Sequence, residues 1–378
     1  METGQRNMFK QKLRNNFWDI VFFLLLLVLT VLICNLIVNM QRKGEDRQII
    51  VGGIFIGTVE DDGWNQSHYE GMKSACEDLG HALEIEENVE ETLSDTEKAV
   101  QKLVEKGCRV IFLTSDGFGH NIYKVVKSYP DVSFYTISPE TKPANMTNYY
   151  GRMYQVRYFA GILAGMMTKT NVLGFVAAKS NAQVARDINA YLLGARLVNP
   201  DAIVKVHLTG GWSEAEAERE AALKLIDEEN ADILTYHSST DEVIKVAEER
   251  SVYSIGYGRL SKRYSDSFLA GVVFHWGTLY KAMLQDYQRG SVRTTDYYWW
   301  GVSDGAVEIE GFSPMVDTDA YTRIKEVRES FASGKDVFLG KIVRNDGKVM
   351  CRDNERMSDE ALLLDMNWFV EGVVVDDE

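Results

Sequence analysis

Residues 49–79 of this chain, IIVGGIFIGTVEDDGWNQSHYEGMKSACEDL, predict a strand, a turn and a helix in succession. The run Ile49–Ile56 is apolar and rich in β-branched residues, which is typical of a buried strand, and Gln66–Leu79 has a helical pattern. The turn between them brings acids, an amide and a tryptophan to the carboxyl end of the strand. Because open α/β sheets bind ligands at that edge, this turn is the first candidate binding segment.

The turn has two interpretations on its own residues. In the first, Trp64 stacks on a flat ligand while Asp61 and Asn65 form hydrogen bonds with the ligand's edge. In the second, Trp64 only fills the domain interior and Asp62-Gly63 only reverses the chain. The segment alone leaves both open.

Strands and helices alternate along the following chain, which predicts parallel sheets covered by helices on both faces. Further strands are predicted at Arg109–Leu113, Ser133–Ile137, Val172–Ala177, Ala202–Leu208, Ile233–Tyr236, Tyr253–Tyr257, Phe268–Phe274 and Tyr297–Gly301, with a hairpin around Asn345–Lys348. Further helices are predicted at Thr96–Lys106 (capped by Asp95), Asn121–Tyr129, Arg152–Thr168, Ala182–Leu197, Glu214–Glu228 (capped by Ser213), Asp241–Arg250, Leu279–Arg289 and Ala320–Ser333. Two successive series of similar size predict an α/β fold with two doubly wound lobes and a ligand cleft between them.

The N-terminal segment has a different composition from the rest. Ile20–Val38 contains no charged residue and is long enough to cross a bilayer as a helix. We therefore assign 1–16 to a cytoplasmic N-terminus, 17–40 to a transmembrane anchor and 41–48 to a linker, with the orientation set by the basic residues before the apolar run. A cleavable signal peptide is the alternative, although the usual small-residue exit site is missing.

Composition and motifs exclude several classes of function. A net charge of −15 argues against a nucleic-acid surface, which requires a basic field. The 4 cysteines are scattered without a C-x-x-C pair, so we expect free buried thiols, with a Cys76–Cys108 bond as an open alternative, and no structural zinc. The chain has no phosphate-binding glycine motif, no G-x-S-x-G and no H-E-x-x-H, so no cofactor and no metal site are expected.

Polar and aromatic residues recur where the predicted strands end. These residues are Asp61 and Trp64 after the first strand, Asp116 and Phe118 after the second, Trp212, then His237 and Ser239, and finally Tyr257. Each one separately could be structural, and a single histidine such as His237 is commonly a hydrogen-bonded wall residue. Their repetition at successive carboxyl edges instead favours one binding cleft for a planar heterocycle.

At these residues the chain resembles the basic membrane protein family of ABC transporter substrate-binding proteins, in its purine nucleoside receptor group. The segments that carry the resemblance are GTVEDDGWNQSHYEG at 57–71, GILAGMMTKTNVLGFVAA at 161–178, INAYLLGARLVNPDAIVKV at 188–206 and DMNWFVEGVVV at 365–375. The resemblance covers about residues 50–376. It implies a type I periplasmic-binding-protein fold, with two lobes that are joined by three crossovers and close on a purine nucleoside or base. We place one lobe at 49–148 and 272–300 and the other at 149–271 and 301–378.

The resemblance also assigns roles to individual residues. It implies that Trp64 stacks on the base with Asp61 and Asn65 as polar neighbours, that Trp212 is a second stacking residue, and that Asp116 and Phe118 line the pocket. Two positions depart from the family pattern. Tyr257-Gly258 lacks the acid that can bind a ribose, and Phe274-His275-Trp276 lacks a lysine, which together favour a free base or another flat heterocycle.

The sequence therefore predicts a membrane-tethered extracytoplasmic receptor that delivers a purine-like ligand to an ABC permease. The alternative is a sensor of the same fold that signals to a partner without transport. An enzyme is a third class, but it would need a coupled nucleophile or acid–base pair, and the candidates His237 and Asp116 are isolated in the sequence.

Overall fold

The strand, turn and helix predicted at residues 49–79 are present in the structure. A computed structural model describes residues 21–22, 24–33, 48–138, 143–260, 265–291 and 297–376. Within them, strand β1 covers Ile50–Ile54 and is almost wholly buried, as its apolar sequence predicts. The following helix covers Trp64–Leu79, so it begins two residues earlier than predicted and includes the tryptophan in its first turn. Trp64 is therefore fixed by the helix start rather than carried by a free loop.

The other elements follow in alternation. After β1, the strands are β2 (Ala82–Glu86), β3 (Val110–Leu113), β4 (Ser133–Thr136), β5 (Met146–Gly151), β6 (Val172–Ala177), β7 (Ile203–Leu208), β8 (Ile233–His237), β9 (Tyr253–Gly258), β10 (Phe268–Phe274), β11 (Tyr297–Trp300), β12 (Val307–Glu310), β13 (Ile342–Val343), β14 (Val349–Cys351) and β15 (Val373–Asp376). After a first helical segment α1 at residues 21–22 and 24–33, the helices are α2 (Trp64–Leu79), α3 (Leu93–Glu105), α4 (Asp116–Ile122), α5 (Met153–Met167), α6 (Ala182–Val198), α7 (Ala215–Asp227), α8 (Glu242–Arg250), α9 (Trp276–Arg289) and α10 (Thr318–Ala332).

Two large sheets organise the chain. The six-stranded sheet has the order β11-β5-β4-β3-β1-β2, and its neighbouring strands are parallel. The seven-stranded sheet has the order β12-β10-β9-β8-β6-β7-β15 and is parallel except for β12. The chain passes from the first sheet to the second between β5 and β6, returns between β10 and β11, and passes again between β11 and β12. The α/β class and the parallel sheets predicted from the sequence are confirmed.

Close packing of α5 on α6 fixes the helices that later contribute the polar side of the candidate site. A side chain at Gly161 would collide with the backbone of Tyr191, and one at Gly194 would collide with the backbone of Tyr158. The small residues of α5 were expected to allow close packing, and these two glycines show why none but glycine fits there. The tight contact holds the second half of α6 directly against α5.

Some predicted boundaries were wrong for identifiable reasons. The helix expected at Asn121–Tyr129 begins earlier, at Asp116, and ends at Ile122, followed by a single 3₁₀ turn. The cap of α3 is Thr92 and not Asp95, because the Thr92 hydroxyl accepts the Asp95 amide hydrogen. Helix α7 begins after Glu214 without a side-chain cap from Ser213. The strands β2, β5, β12 and β15 were not predicted. Three of them, β2, β12 and β15, lie at sheet edges, and β2 and β12 alternate apolar with acidic residues.

The chain divides into two units, residues 1–48 with 284–292 and residues 49–283 with 293–378. Both sheets belong to the second unit. In the first unit, residues 21–22 and 24–33 are helical, and none of the helices among the described residues is long and apolar enough to cross a membrane. Most of the predicted anchor and linker, including Cys34, lies outside the described residues. Cys76, Cys108 and Cys351 are buried free thiols, so the alternative Cys76–Cys108 bond is not formed.

Candidate functional site

A cavity opens where the carboxyl ends of strands from both sheets face each other. It encloses about 500 Å³, including space open to solvent. Its lining residues lie at or just after the carboxyl ends of β1, β3 and β4 of the six-stranded sheet and of β6, β7, β8 and β9 of the seven-stranded sheet: Ile56, Trp64, Ser115, Asp116, Ile137, Gln183, Trp212, His237, Ser238, Ser239 and Tyr257. Six of the nine sequence-predicted site residues are among them, namely Trp64, Asp116, Trp212, His237, Ser239 and Tyr257.

Trp64 forms an aromatic wall on the side of the six-stranded sheet. Its indole Nε1 donates a hydrogen bond of 2.8 Å to the carbonyl of Thr114, at the end of β3. Behind it, the His68 ring lies edge-on with centroids 4.4 Å apart, and the Trp276 ring does so at 5.5 Å. His68 itself stacks on Trp276 at 3.9 Å. One edge and the rear of the indole are therefore held by protein, which orients the rest of the ring toward the cavity.

Asp61 and Asn65 organise the turn that carries Trp64. The two carboxylate oxygens of Asp61 accept hydrogen bonds from the backbone amides of Gly63, Asn65 and Gln66, at 2.9 to 3.0 Å, and from the Asn65 side chain at 2.8 Å. Asn65 is buried and does not line the cavity, and Asp61 lines a neighbouring chamber instead. The hydrogen-bonding groups of Asp61 and Asn65 are largely used within the turn. The two residues therefore support the turn that carries Trp64 and do not line the main cavity.

Phe118 is also not brought to the cavity. Its side chain is fully buried in the hydrophobic core beside Ile111 and Phe134. It belongs to the interior face of α4, whereas Asp116, at the start of the same helix, lines the cavity and lies 3.2 Å from the His120 ring. The half-exposed Asp116 carboxylate is thus available to a ligand at this edge.

A polar wall lies on the side of the seven-stranded sheet. The Tyr257 hydroxyl lies 2.6 Å from His237 Nε2, and the other ring nitrogen, Nδ1, lies 3.3 Å from the carboxylate of Asp187. The same carboxylate oxygen lies 3.6 Å from Nε of Arg157. Arg157 is fully buried, donates to the Thr235 hydroxyl at 2.8 Å and to the Tyr236 carbonyl at 2.5 Å, and lies 4.4 Å from the Tyr257 ring centroid.

Burial dominates the protonation of this wall. It lowers the pKa of His237, although the neighbouring Asp187 opposes that change, and it raises the pKa of Tyr257. The ring is thus biased toward its neutral form and the phenol remains protonated. An interior Arg–Asp pair stabilises this arrangement because neither charge is left alone in the low-dielectric interior.

Gln183 was not predicted as a site residue. It lies in the first turn of α6, lines the cavity, and its side-chain nitrogen contacts the Tyr150 hydroxyl and lies 3.4 Å from His237 Nε2. Its signal in the sequence was its place directly after β6, because the first turn of a helix that follows a parallel strand faces the ligand edge. Arg157 and Asp187 had no such signal, since they occupy helix interiors.

Trp212 and Ser239 complete the cavity on the same side. The half-buried Trp212 ring lies 5.9 Å from the His237 ring and 5.9 Å from the Lys179 ammonium group. The carbonyl of Trp212 accepts the Ser239 amide hydrogen at 2.7 Å, which fixes the loops after β7 and β8 against each other. Indoles from opposite sheets, Trp64 and Trp212, therefore line one cavity.

An ion pair spans the rim beside the cavity. Arg259 follows β9 and its Nη1 lies 3.0 Å from Oδ1 of Asp62, which follows β1. Both residues line a chamber that also shares Trp64, Ser239 and Tyr257 with the main cavity. The pair connects the ligand edges of the two sheets.

The two departures from the family pattern can now be located. Gly258 offers no side chain to the chamber that it lines, and its φ of +85° suits glycine. His275 is about 41% exposed, lies 3.7 Å from Glu310 and is not among the lining residues of the cavity. Neither position contributes a polar side chain to the cavity or to the chamber beside it.

Among the described residues, one cluster could be considered for a metal ion: His207, Glu229 and Asp376, at the outer edge of the second sheet. Glu229 lies 3.1 Å from the Nε2 of His207, and Asp376 lies 3.7 Å from the Nδ1. One ion binds only one ring nitrogen, and Asp376 is already paired with Lys224 at 2.6 Å. The cluster is read as an ion-pair network that holds β15.

The two largely parallel sheets, the three crossings and the cavity at their carboxyl edges define a periplasmic-binding-protein-like fold. A solute-binding protein of Aeropyrum pernix K1 has the same fold, with a TM-score of 0.64 at 17% identity, over 85% of this chain and 100% of that one. The sequence pattern of the family described as ABC transporter substrate-binding protein PnrA-like matches residues 49–335. The chain belongs to this family, which consists of substrate-binding proteins and not of enzymes.

Relatives in the family carry different ligand names. A purine-binding protein of Brucella abortus (strain 2308) is 33% identical over 332 residues, which is 87% of this chain and 93% of that protein. A protein of Haloferax volcanii whose name assigns it to glucose binding in an ABC transporter is 29% identical over 331 residues, 87% of this chain and 81% of that protein. Similarity thus establishes the family, and the ligand has to be argued from the cavity.

Proposed function

We propose that the protein is the extracytoplasmic receptor of an ABC transporter and binds a purine base or a similar planar heterocycle. The observation that carries this proposal is the pair of indoles, Trp64 and Trp212, that line one cavity from opposite sheets. Aromatic faces on two sides favour a flat ring, whereas polar groups at the edges, from Asp116, Gln183 and Tyr257, can bind its nitrogen and oxygen atoms. The purine-binding relative from Brucella supports this ligand class.

A free base is favoured over a nucleoside. The family resemblance implies that a ribose is bound by polar side chains near the positions of Gly258 and His275. Here the first position has no side chain, and the second lies outside the cavity lining. Glucose, suggested by the Haloferax relative, is disfavoured because its hydroxyl groups need hydrogen-bond partners around the whole ring, and Ile56 and Ile137 in the lining offer none.

In this proposal the two sheets belong to two lobes that close around the ligand. The predicted boundaries at 148/149 and 271/272 cut through β5 and β10, so the lobes are divided after Gly151 and after Phe274 instead. The closed form satisfies both walls at once, so ligand binding favours it. A closed receptor presents a composite surface, formed by both lobes, to its permease.

The N-terminal segment supplies the attachment to the membrane in this proposal, with 1–16 cytoplasmic, 17–40 spanning and 41–48 as linker. Large apolar side chains of α1, such as Leu25 and Leu27, are more than half exposed, which leaves them free to contact lipid. Recovery of the chain in the soluble fraction after alkaline extraction of membranes would contradict this anchor.

The test is titration calorimetry and thermal unfolding of the full-length chain with adenine, hypoxanthine, their nucleosides and glucose, with an acid-stopped assay for turnover. We expect saturable binding of a base without product. Product formation would contradict a receptor, and binding of glucose alone would contradict the stacking argument. Loss of base uptake in cells lacking the protein would support transport, whereas normal uptake with a lost transcriptional response would favour the sensor.

Two variants separate contact from packing. Trp64→Ala should weaken base binding by about 1–3 kcal/mol, in analogy to base stacking on aromatic side chains. Phe118→Ala is the matched control, because it removes an aromatic ring from the core beside the site and should lower stability by about 3–5 kcal/mol without changing the affinity of the folded protein. An unchanged affinity in Trp64→Ala, together with a less stable fold, would show that Trp64 only fills space.

A further inference from the structure

A second chamber adjoins the cavity beside the N-terminal end of helix α6. It encloses about 740 Å³, including space open to solvent, and it shares Asp116, Ile137 and Gln183 with the cavity. Arg186, from the second turn of α6, also lines this chamber. A ligand that occupies the cavity can therefore extend into the chamber beside the shared residues.

Arg186 is a buried arginine without a carboxylate partner. The residue is 3% exposed, its Nη1 donates a hydrogen bond to the Leu362 carbonyl, and its guanidinium carbon lies 5.2 Å from the Trp299 ring centroid. Among the residues that the structure describes, no aspartate or glutamate forms an ion pair with it. Charged side chains are seldom fully buried unless they are paired, so Arg186 departs from the usual rule.

Two arginines at and near the start of helix α5 show the usual arrangement. Arg157 Nε lies 3.6 Å from the carboxylate of Asp187, and Arg152 Nη2 lies 2.5 Å from the carboxylate of Asp359. A buried cation that has no anion beside it is strongly destabilising. Arg186 can therefore gain more than either of these arginines from an anionic group that enters the chamber.

The unpaired atoms of Arg186 have the geometry that an oxyanion requires. Its Nε is buried without a hydrogen-bond partner, and its Nη2 has none within the described part of the chain. These two nitrogens lie on the same edge of the planar guanidinium, where they can donate two parallel hydrogen bonds to two oxygens of a carboxylate or a phosphate. A neutral acceptor with a single oxygen would use only one of them.

The start of α6 supplies a second source of positive potential. The Asn181 side chain caps the helix by accepting the Val184 amide hydrogen at 2.9 Å, and Asn181 and Ala182 line the chamber. The amides of Ala182 and Gln183 have no backbone acceptor among the described residues. Unpaired amides in a first helical turn form the positive end of the helix dipole, which stabilises a nearby anion.

We infer that the chamber binds an anionic group carried by the heterocycle, a carboxylate or a phosphate, with Arg186 and the first turn of α6 as its contacts. Trp64 and Trp212 then hold the flat ring, while Arg186 selects ligands with a charged substituent. The inference rests on the proposed function, since it presupposes a heterocycle in the cavity.

Asp116 is the competing partner for Arg186. Asp116 and His120 line the same chamber and lie 3.2 Å from each other, and Asp116 forms no ion pair with Arg186 in this structure. The Asp116 side chain is 45% exposed, so water screens its repulsion of an anionic ligand. If Asp116 instead served Arg186 as a counter-charge, the chamber would not favour an anionic ligand.

Adenine derivatives with a carboxymethyl group are the appropriate probes, each compared with its own carbamoylmethyl amide. The amide has nearly the same shape and no charge, and attachment at N6 in one pair and at N9 in another directs the group to different sides of the ring. Titration calorimetry of the full-length chain should show at least one carboxylate binding about tenfold or more tighter than its amide, equivalent to about 1.4 kcal/mol.

The outcomes of this titration separate the inference from the proposed function. Equal affinities within both pairs, or binding of unsubstituted adenine alone, would overturn the inference and leave the proposed function intact. Failure of adenine and of all its derivatives to bind would overturn the proposed function. Phosphonomethyl derivatives at the same positions distinguish the two anions, since tighter binding of the phosphonate than of the carboxylate would assign the chamber to phosphate esters.

Arg186→Gln removes the charge from the chamber. It should weaken binding of the favoured carboxylate by about tenfold and of its amide much less, so that the ratio of the two affinities approaches one. Arg186→Lys keeps a charge and should retain part of the preference. A role in packing alone would lower both affinities equally and leave the ratio unchanged, which would contradict the inference.

Arg196→Gln is the matched control, because Arg196 lies on the same helix outside the chamber and donates to the carbonyls of Ala202 and Glu371. This change should leave the ratio unchanged. Asp116→Asn should preserve or increase the preference for the carboxylate. A preference that appears only in Asp116→Asn would show that Asp116 is the counter-charge of Arg186, and it would overturn the inference.

Discussion

The two walls of the cavity are built by different means. The wall on the six-stranded sheet consists of aromatic rings, in which Trp64 is packed against His68 and Trp276 and tied by one hydrogen bond. The wall on the seven-stranded sheet is a buried chain of charged and polar groups from Arg157 to Tyr257. Packing of aromatic rings holds the first wall in place, whereas electrostatic contacts hold the second.

This difference separates affinity from selectivity. Aromatic contact depends on area and tolerates any flat ring, whereas buried polar groups penalise a ligand that leaves one of them without a hydrogen-bond partner. The aromatic wall is thus expected to set how tightly a heterocycle binds, and the polar wall to set which heterocycle binds. The two walls should also respond differently to mutation, pH and salt.

The largest expected effect comes from removing the charge of Arg157, the innermost residue of the polar wall. Arg157→Met keeps an apolar stem of similar length but leaves Asp187 as a buried carboxylate without its cation, which should lower the free energy of unfolding by about 3–5 kcal/mol. Denaturant unfolding of the ligand-free chain measures this loss. Arg250→Met removes an exposed arginine paired with Asp227 and should leave stability unchanged. A stable Arg157→Met variant with unaltered ligand selectivity would show that the polar wall does not depend on this charge.

The residues that line the cavity could be anticipated from the sequence to a greater degree than the buried residues that support them. Trp64 follows an apolar strand and precedes a helical pattern, so its place at the carboxyl edge follows from local sequence alone. Trp212, Asp116, His237, Ser239 and Tyr257 were identified by the same logic, and the structure brings all of them to the cavity.

Arg157 and Asp187 could not be identified because sequence patterns predict exposure for charged residues in helices. Their burial results from the glycine-mediated contact of α5 with α6, which is a tertiary feature. Phe118 was misplaced for the converse reason, since an aromatic residue after a strand can face either the cavity or the core, and only the early start of α4 turns it inward. Asp61 and Asn65 have the residue types of ligand contacts, but their hydrogen bonds close the turn instead.

Acid should destabilise the fold through the buried histidines of both walls. The contribution of His68 in the aromatic wall should be larger than that of His237 in the polar wall. Burial lowers the pKa of His68 well below its ordinary value of 6.5 and also lowers that of His237, where Asp187 opposes the shift. The unfolded chain then binds more protons than the folded one below pH 6.5, so stability should decrease as the pH falls through that range, by about 1.4 kcal/mol for each unit of displaced pKa.

Melting temperatures measured from about pH 7.5 to about pH 5 test this difference. His68→Gln should flatten the pH profile of the melting temperature more than His237→Gln does. A larger effect of His237→Gln would indicate that the polar wall, and not the aromatic wall, is the one more sensitive to acid.

The smallest expected effect concerns the rim, where Asp62 and Arg259 connect the two walls. The ion pair is 3.0 Å long, but the Asp62 side chain is 77% exposed, so water and salt screen most of its energy. Arg259→Gln should therefore weaken ligand binding by at most about 1 kcal/mol, and the loss should vanish at high ionic strength. Asp62→Asn should have the same effect on ligand binding. The double variant should bind the ligand as tightly as either single variant, because each single change removes the same interaction. Additive losses in the double variant would show that the two residues act on the ligand separately, and the walls would then be joined only through the ligand itself.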